Sequence, residues 1–291
     1  MYTDIDDPNL DKTLFRKEYA SLRINRKTIE DLKQWNPSSL TSEIVAANKL
    51  QLQTYQTFPP TWINPNNINL RLLLKFDTGT GKTVATLTTA LNFIKRSMES
   101  YRVWESQDRT PEVFIIGFSR QIFIKELMRR PEFGFITREE IARESRLRSA
   151  AASGSALERE ELAKFHTEIK KRFTKKNMGG FLRFYGYKEF FNRLFIFTVE
   201  GLKKLAQKLD VDVLDRSNLT EDQILLGLKE KHIGINLDLV DAIVNGFMAF
   251  DEFHHAYNAV AINNYGIAIR IVLMIHDRPD IMKTWVPLSP E

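Results

Sequence analysis

Apolar positions along the chain recur with two spacings that take turns. Helix-period patterns run over Lys82–Ser97, Arg120–Arg129, Gly201–Leu209, Glu221–Glu230 and Ile262–Ile275, each laying its apolar residues on one face of a 3.6-residue repeat. Between them fall short apolar runs that read as buried strands: Leu70–Phe76, Val113–Phe118, Leu194–Val199, Phe247–Asp251 and Trp285–Leu288. Strand and helix in alternation imply parallel pairing, so the predicted fold is an α/β domain built on a mostly parallel, doubly wound sheet.

Two segments break this rhythm. Residues 1–49 carry a helical pattern over Asp11–Trp35 that the proline in Asn36–Ser39 stops, and they read as a helical N-terminal extension. Residues 137–176 are charged and rich in alanine and serine, which predicts an inserted helical pair with a flexible link near Ala150–Ser155. Residues 50–69, with their aromatics, prolines and asparagines, read as a connecting segment laid against the core. The α/β domain is therefore expected over residues 50–291.

Composition narrows the classes. The chain has 291 residues, 43% of them hydrophobic, enough to bury a substantial core. No run approaches the roughly 18 uncharged apolar residues of a membrane span, and the acidic, polar start does not have the form of a secretory signal. With no cysteine, disulfide frameworks and thiolate zinc sites are excluded. The balance of 42 Lys and Arg against 37 Asp and Glu gives a net charge of +5, concentrated in the middle third. Such an excess suits a phosphate backbone, although a run such as Glu168–Lys176 reads first as a solvated helix face.

The sharpest chemical signal is the stretch Leu72–Leu87, where an apolar run leads through Asp77, Thr78, Gly79, Thr80 and Gly81 to a helix opening at Lys82 and Thr83. Gly79 and Gly81 allow backbone conformations closed to other residues, so that successive N–H groups can turn towards phosphate oxygens. Lys82 would reach the β and γ phosphates of ATP and Thr83 would place its hydroxyl on Mg²⁺, at the positive end of the helix. Phe76 stands where the strict motif has its first glycine.

A second site follows several strand and helix units later. The run Phe247–Phe250 ends in Asp251-Glu252-Phe253-His254, which puts two carboxylates at the carboxyl end of a predicted strand. Asp251 would hold the Mg²⁺ through water and Glu252 would deprotonate the attacking water, with His254 coupling the ATP site to a neighbouring lobe. The adjacent histidines His254 and His255 lack the spacing of a zinc site. The absence of an Asn-Lys-x-Asp sequence after the loop argues against a guanine-nucleotide enzyme.

Together these residues resemble the DExH-box helicases of superfamily 2: the glycine loop is similar to motif I, Asp251–His254 to motif II, and Val113–Leu127 to motif Ia. The sequences Phe184–Phe195, Asp251–Asn258 and Asn263–Arg270 narrow the resemblance to helicase-like NTPases of nucleocytoplasmic large DNA viruses, relatives of the poxvirus early transcription factor small subunit and nucleoside triphosphatase I. The resemblance implies the RecA-like first lobe of a DNA-dependent ATPase or helicase in viral transcription. It further implies Gln56 as an adenine contact, and a virion and host-cytoplasm location. Ser119, Arg120 and Thr198 are expected to touch the phosphates of DNA, with RNA as the alternative strand. Trp285–Glu291 stands where motif III would lie, so motifs IV–VI, and with them the arginine fingers, are expected from a second helicase lobe or a partner subunit, the viral RNA polymerase among the candidates. The competing expectation is a non-catalytic nucleic-acid-binding or scaffold subunit that retains the lobe.

Overall fold

A computed structural model describes residues 52–65, 71–75, 79–101, 111–118, 120–154, 156–216, 218–256 and 264–277. The expected N-terminal helical extension and the expected strand at Trp285–Leu288 lie outside them. The chain divides into two units, residues 1–110 with 121–180 and residues 111–120 with 181–291.

The first unit is helical among the described residues. α1 (Thr54–Trp62) forms where the composition predicts a connecting segment. It contains Pro59 and Pro60, which bring no backbone donor, and side chains tie its end to its surroundings: Asn92 Nδ2 donates to the Pro60 carbonyl at 2.7 Å, and the Trp62 indole to Arg71 O at 3.2 Å. α2 (Lys82–Tyr101) packs along α1 and buries Val84, Ala85, Leu87 and Ile94. The expected strand over Leu70–Phe76 is not found in its described part. Arg71–Lys75 is not assigned to a strand among the described residues, and Leu73 is 82% exposed. An apolar run becomes a strand only where a partner edge accepts its backbone groups, and periodicity says nothing about that partner.

α3 (Arg120–Arg129) begins at the boundary between the units and matches its predicted limits. The predicted helical pair follows as α4 (Arg138–Ala152) and α5 (Ala156–Thr174), joined through Ser153 and Gly154, the latter at φ +104°. α4 opens with a capping box: Thr137 Oγ1 accepts from the Glu140 N–H, and Glu140 Oε2 from the Thr137 N–H. α5 buries Phe165, Ile169 and Phe173 and leaves Lys170, Lys171 and Lys175 in solvent, as expected for a solvated basic face.

Ion pairs tie α4 to α5. The Arg172 guanidinium forks onto both oxygens of Glu140 at 2.6 and 2.9 Å, and Arg143 meets Glu161 at 2.6 Å. The Arg172 hydrogen bonds hold the Glu140 carboxyl below the usual carboxylate range, against an opposing push from burial. A carboxyl depressed in the folded state stabilises above its unfolded pKa and loses that contribution as pH falls through the folded one. Because Arg172 is more than a third exposed, the pair contributes only about 0.5–1 kcal/mol. Glu140→Gln should therefore speed amide exchange in α4 and α5 at neutral pH, and the difference from wild type should vanish in acid.

The second unit holds both sheets. β1 (Val113–Ile116) is the fully buried centre of a parallel three-stranded sheet, flanked by β2 (Leu182–Tyr185) and β5 (Phe247–Phe250) in the order β2-β1-β5. The register pairs Ile116 with Tyr185 on one side and with Phe250 on the other, so the three carboxyl ends are level. This parallel α/β arrangement is the predicted class and is consistent with a RecA-like domain.

α6 (Tyr187–Leu194) leads straight into β3 (Phe195–Phe197), and α7 (Val199–Lys208) and α8 (Glu221–Lys229) precede β4 (Ile233–Ile235). Here the parallel expectation fails, because β3 pairs antiparallel with β4 in a separate two-stranded sheet. Alternating patterns fix which residues extend, whereas direction is set by how the chain returns, here through two helices. α9 (Leu237–Val244) and α10 (Asn264–Asp277) complete the unit. Its core joins Phe114 and Ile116 of β1 to Phe190, Leu194, Ile233 and Ile271. Among the described residues no helix is long and apolar enough to cross a membrane.

Candidate functional site

In the first unit, Gly79 and Gly81 take φ of +81° and +80°, the left-handed conformations that glycine alone adopts readily. The turn delivers the chain into α2, whose first residues are Lys82 and Thr83 and whose first turn carries no acidic side chain. Gly81 O accepts from the Ala85 N–H at 3.0 Å, so the helix starts directly on the glycine and its first N–H groups lie at the loop. Thr78 is outside the described residues.

The loop is braced from α1. Thr80 O accepts from the Tyr55 hydroxyl at 2.9 Å and from Gln56 Nε2 at 3.2 Å, and the same amide reaches Gly81 O at 3.3 Å. Gln56 Oε1 in turn accepts from the Gln53 N–H at 2.9 Å. Gln56 is only 7% exposed. The residue expected at adenine thus has both ends of its amide on protein backbone, and what it fixes here is the shape of the turn.

In the second unit, Asp251 and Glu252 follow β5 at the carboxyl end of the parallel sheet, where the sequence puts them. The Asp251 N–H donates to Ile116 O at 2.8 Å, continuing the ladder one residue beyond the strand. Glu252 takes φ +56°, an uncommon conformation for a residue with a Cβ. Its carboxylate lies 3.5 Å from His254 Nδ1. Opposite Asp251 is Gly117, at the end of β1: a Cβ there would come within 2.8 Å of the Asp251 Cβ and 3.2 Å of its carbonyl.

Tyr187 completes the turn. Its hydroxyl donates to Asp251 O at 2.8 Å, and burial, followed by the charges of Asp251 and Glu252, raises its pKa, so it stays a protonated donor. Gly117 and Tyr187 lie in the stretches Val113–Leu127 and Phe184–Phe195 that carry the resemblance, which assigns neither of them a role at the acidic turn. The contact joins residues 64 apart in sequence, and the only local cue is the concentration of aromatics from Phe184 to Phe191. Most of those aromatics are core: Tyr187, Phe190 and Phe191 are all buried.

Of the residues expected at nucleic acid, Ser119 is outside the described set. Arg120 forms an ion pair with Glu189, which Arg193 also approaches at 3.4 Å. Thr198 is exposed and caps α7, its Oγ1 accepting from the Gly201 N–H at 3.0 Å. Arg120, Lys188, Glu189, Asn192 and Arg193 with Gly186 line a shallow recess of about 610 Å³ near the carboxyl ends of β1 and β2.

Among the described residues no group of three or more His, Cys, Asp or Glu side chains could hold a metal ion unaided. Thr83 in the first unit, and Asp251 and Glu252 in the second, each taken by itself, carry oxygen donors of the kind that Mg²⁺ takes.

The α/β chain thus holds, unit by unit, a glycine turn that feeds a helix and an acidic turn at the end of a parallel sheet. Compared with known proteins, it is 35% identical over 237 residues to the protein named early transcription factor large subunit homolog of African swine fever virus, isolate Pig/Kenya/KEN-50/1950. It is equally identical to the homologues of isolate Tick/Malawi/Lil 20-1/1983 and strain Badajoz 1971 Vero-adapted. These matches cover 77% of this chain, which spans about a fifth of the relatives' length. The relatives carry the large-subunit name, whereas the motifs resemble those of the small subunit and nucleoside triphosphatase I. No protein-family model matches the chain, and no solved structure does.

Proposed function

We propose that this chain carries the ATP-handling part of a DNA-dependent ATPase that acts in viral early transcription. The observation that carries the reading is the glycine turn at Gly79 and Gly81, braced by Gln56 and Tyr55, which presents Lys82 and Thr83 at the start of a 20-residue helix. Mg-ATP, when bound, supplies the phosphoryl group and the cation that offsets its charge. On the protein side, the Lys82 ammonium neutralises phosphate oxygens, and the first N–H groups of α2 add the positive end of the helix. Taken unit by unit, Thr83 in the first offers a hydroxyl to a cation, and in the second Asp251 offers a carboxylate to one and Glu252 a base for the attacking water. Ser119, Arg120 and Thr198 serve the nucleic-acid backbone, and His254 passes its state to the second lobe.

The name of the relatives supports the viral transcription role, and their greater length supports a second lobe or partner subunit, the viral polymerase included, as the source of the remaining motifs. Virion and host-cytoplasm locations follow from the same role. The scaffold reading draws on one observation, that Arg71–Lys75 ahead of the loop is not strand among the described residues.

Calorimetric titration with Mg-ATP separates the two. A loop that grips phosphate should bind it, and Lys82→Ala should weaken binding by about 10- to 100-fold, the loss of one hydrogen bond to a charged group. Wild-type protein that binds no Mg-ATP would leave the scaffold.

A further inference from the structure

The acidic turn is held by a side chain whose ring also meets an exposed aromatic. Tyr187 is 2% exposed, and packing alone would be served by phenylalanine. Its hydroxyl instead reaches the Asp251 carbonyl, one atom from the peptide that sets Glu252 in its left-handed conformation. The face of the Tyr187 ring is covered by two others. Tyr265 of α10 stacks on it at 5.8 Å and 27°, and Phe118 leans on it at 5.1 Å and 54°. Phe118 is 55% exposed although aromatic, and it follows β1 immediately after Gly117, the residue that abuts Asp251.

We infer that Tyr187 is a positioning residue that links occupancy over Phe118 to the Asp251–Glu252 turn. A flat group seated on Phe118, such as a base of single-stranded DNA, would gain a stacking partner. It would also shift the Phe118 ring against Tyr187, and the tyrosine hydroxyl would carry that shift to the Asp251 carbonyl. A second route runs through the backbone, because Gly117 leaves no gap between the Phe118 loop and Asp251. Both routes are chains of direct contacts from the Phe118 ring to the Asp251 carbonyl, the contiguous packing through which such coupling can travel.

The inference rests on the reading that Asp251 and Glu252 serve Mg-ATP. Its test is the mutual effect of two ligands, a non-hydrolysable ATP analogue with Mg²⁺ and an oligothymidylate, each titrated with and without the other. Wild-type protein should show a coupling factor of about fivefold or more. Tyr187→Phe, which removes one oxygen, should leave each separate affinity within about twofold and bring the coupling factor to about one. Phe118→Leu, which removes the stacking face and keeps the Tyr187 hydrogen bond, should weaken oligothymidylate binding by about tenfold, leave the separate affinity for the analogue within about twofold and bring the coupling factor to about one, and it carries the test alone if Tyr187→Phe does not fold. Undiminished coupling in both variants, or none in the wild type, overturns the link. Wild-type protein that binds no analogue overturns the Mg-ATP reading itself, a failure that is visible before any variant is made.

Discussion

Gly81→Ala is expected to destabilise the first unit by about 2–4 kcal/mol and to remove nucleotide binding with it. The residue sits at φ +80°, where a Cβ is strained whatever the space around it. The space is also taken, because the added carbon would fall on Gln56 Nε2. The far end of a long side chain can usually step aside at little cost. Here it is held by a donated hydrogen bond to each of two loop carbonyls and an accepted one from Gln53, so stepping aside breaks the brace that shapes the turn. Gln56→Ala removes the obstacle and the brace but leaves the φ strain. In a double-mutant cycle followed by thermal unfolding, Gly81→Ala should therefore cost less in the Gln56→Ala background than in the wild type, by the part due to the collision. Equal costs in both backgrounds would show that strain alone decides, and that Gln56 does not define the loop.

The same pair of residues shows what could be seen in the sequence and what could not. Glycine spacing before a lysine and threonine is a local statement about backbone conformation, and the left-handed φ values at Gly79 and Gly81 agree with it. Gln56 was singled out by its place upstream of the loop, yet its partners are the carbonyls of Thr80 and Gly81, contacts that span 24 and 25 residues and leave no periodic trace. Helices show the same division. α3 could be read to the residue because its apolar face repeats within ten residues, whereas α6 and α9, eight residues each, are too short to establish a period. The strand predicted before the loop has the composition of one, yet its described part, Arg71–Lys75, is not strand. Direction in the second sheet was equally hidden, since β3 and β4 carry no sign of being antiparallel until the chain between them has folded.

Tyr187 illustrates the remaining gap. Its burial was foreseeable from the aromatic density around it, but its hydroxyl has a destination only because β1, β2 and β5 end level with one another. That alignment brings the start of α6, the end of β1 and the acidic turn to one rim of the sheet. A site of this kind is defined by topology first, and by residue type second.

Glu252→Gly should make the protein more stable and, on the proposed reading, nearly inactive. Holding a residue with a Cβ at φ +56° costs about 1–2 kcal/mol, which glycine would relieve. Against this stands about 0.4–1 kcal/mol for the greater freedom of glycine in the unfolded chain, and the exposed His254 contact adds little. A net gain of roughly 0.5–1 kcal/mol remains, measurable as a higher midpoint in urea. Glu252→Gln keeps the Cβ, so it keeps the strain and gains nothing. If Glu252 is the base for the attacking water, both variants should lose about 10²- to 10⁴-fold in DNA-stimulated ATP turnover, measured with the second lobe supplied, while still binding Mg-ATP. The two substitutions thus share a catalytic defect and differ in stability. Strain retained at a carboxylate with a task is how an active site trades stability for geometry. Equal stability in the two variants would remove the strain argument, and full turnover in Glu252→Gln would remove Glu252 from the chemistry.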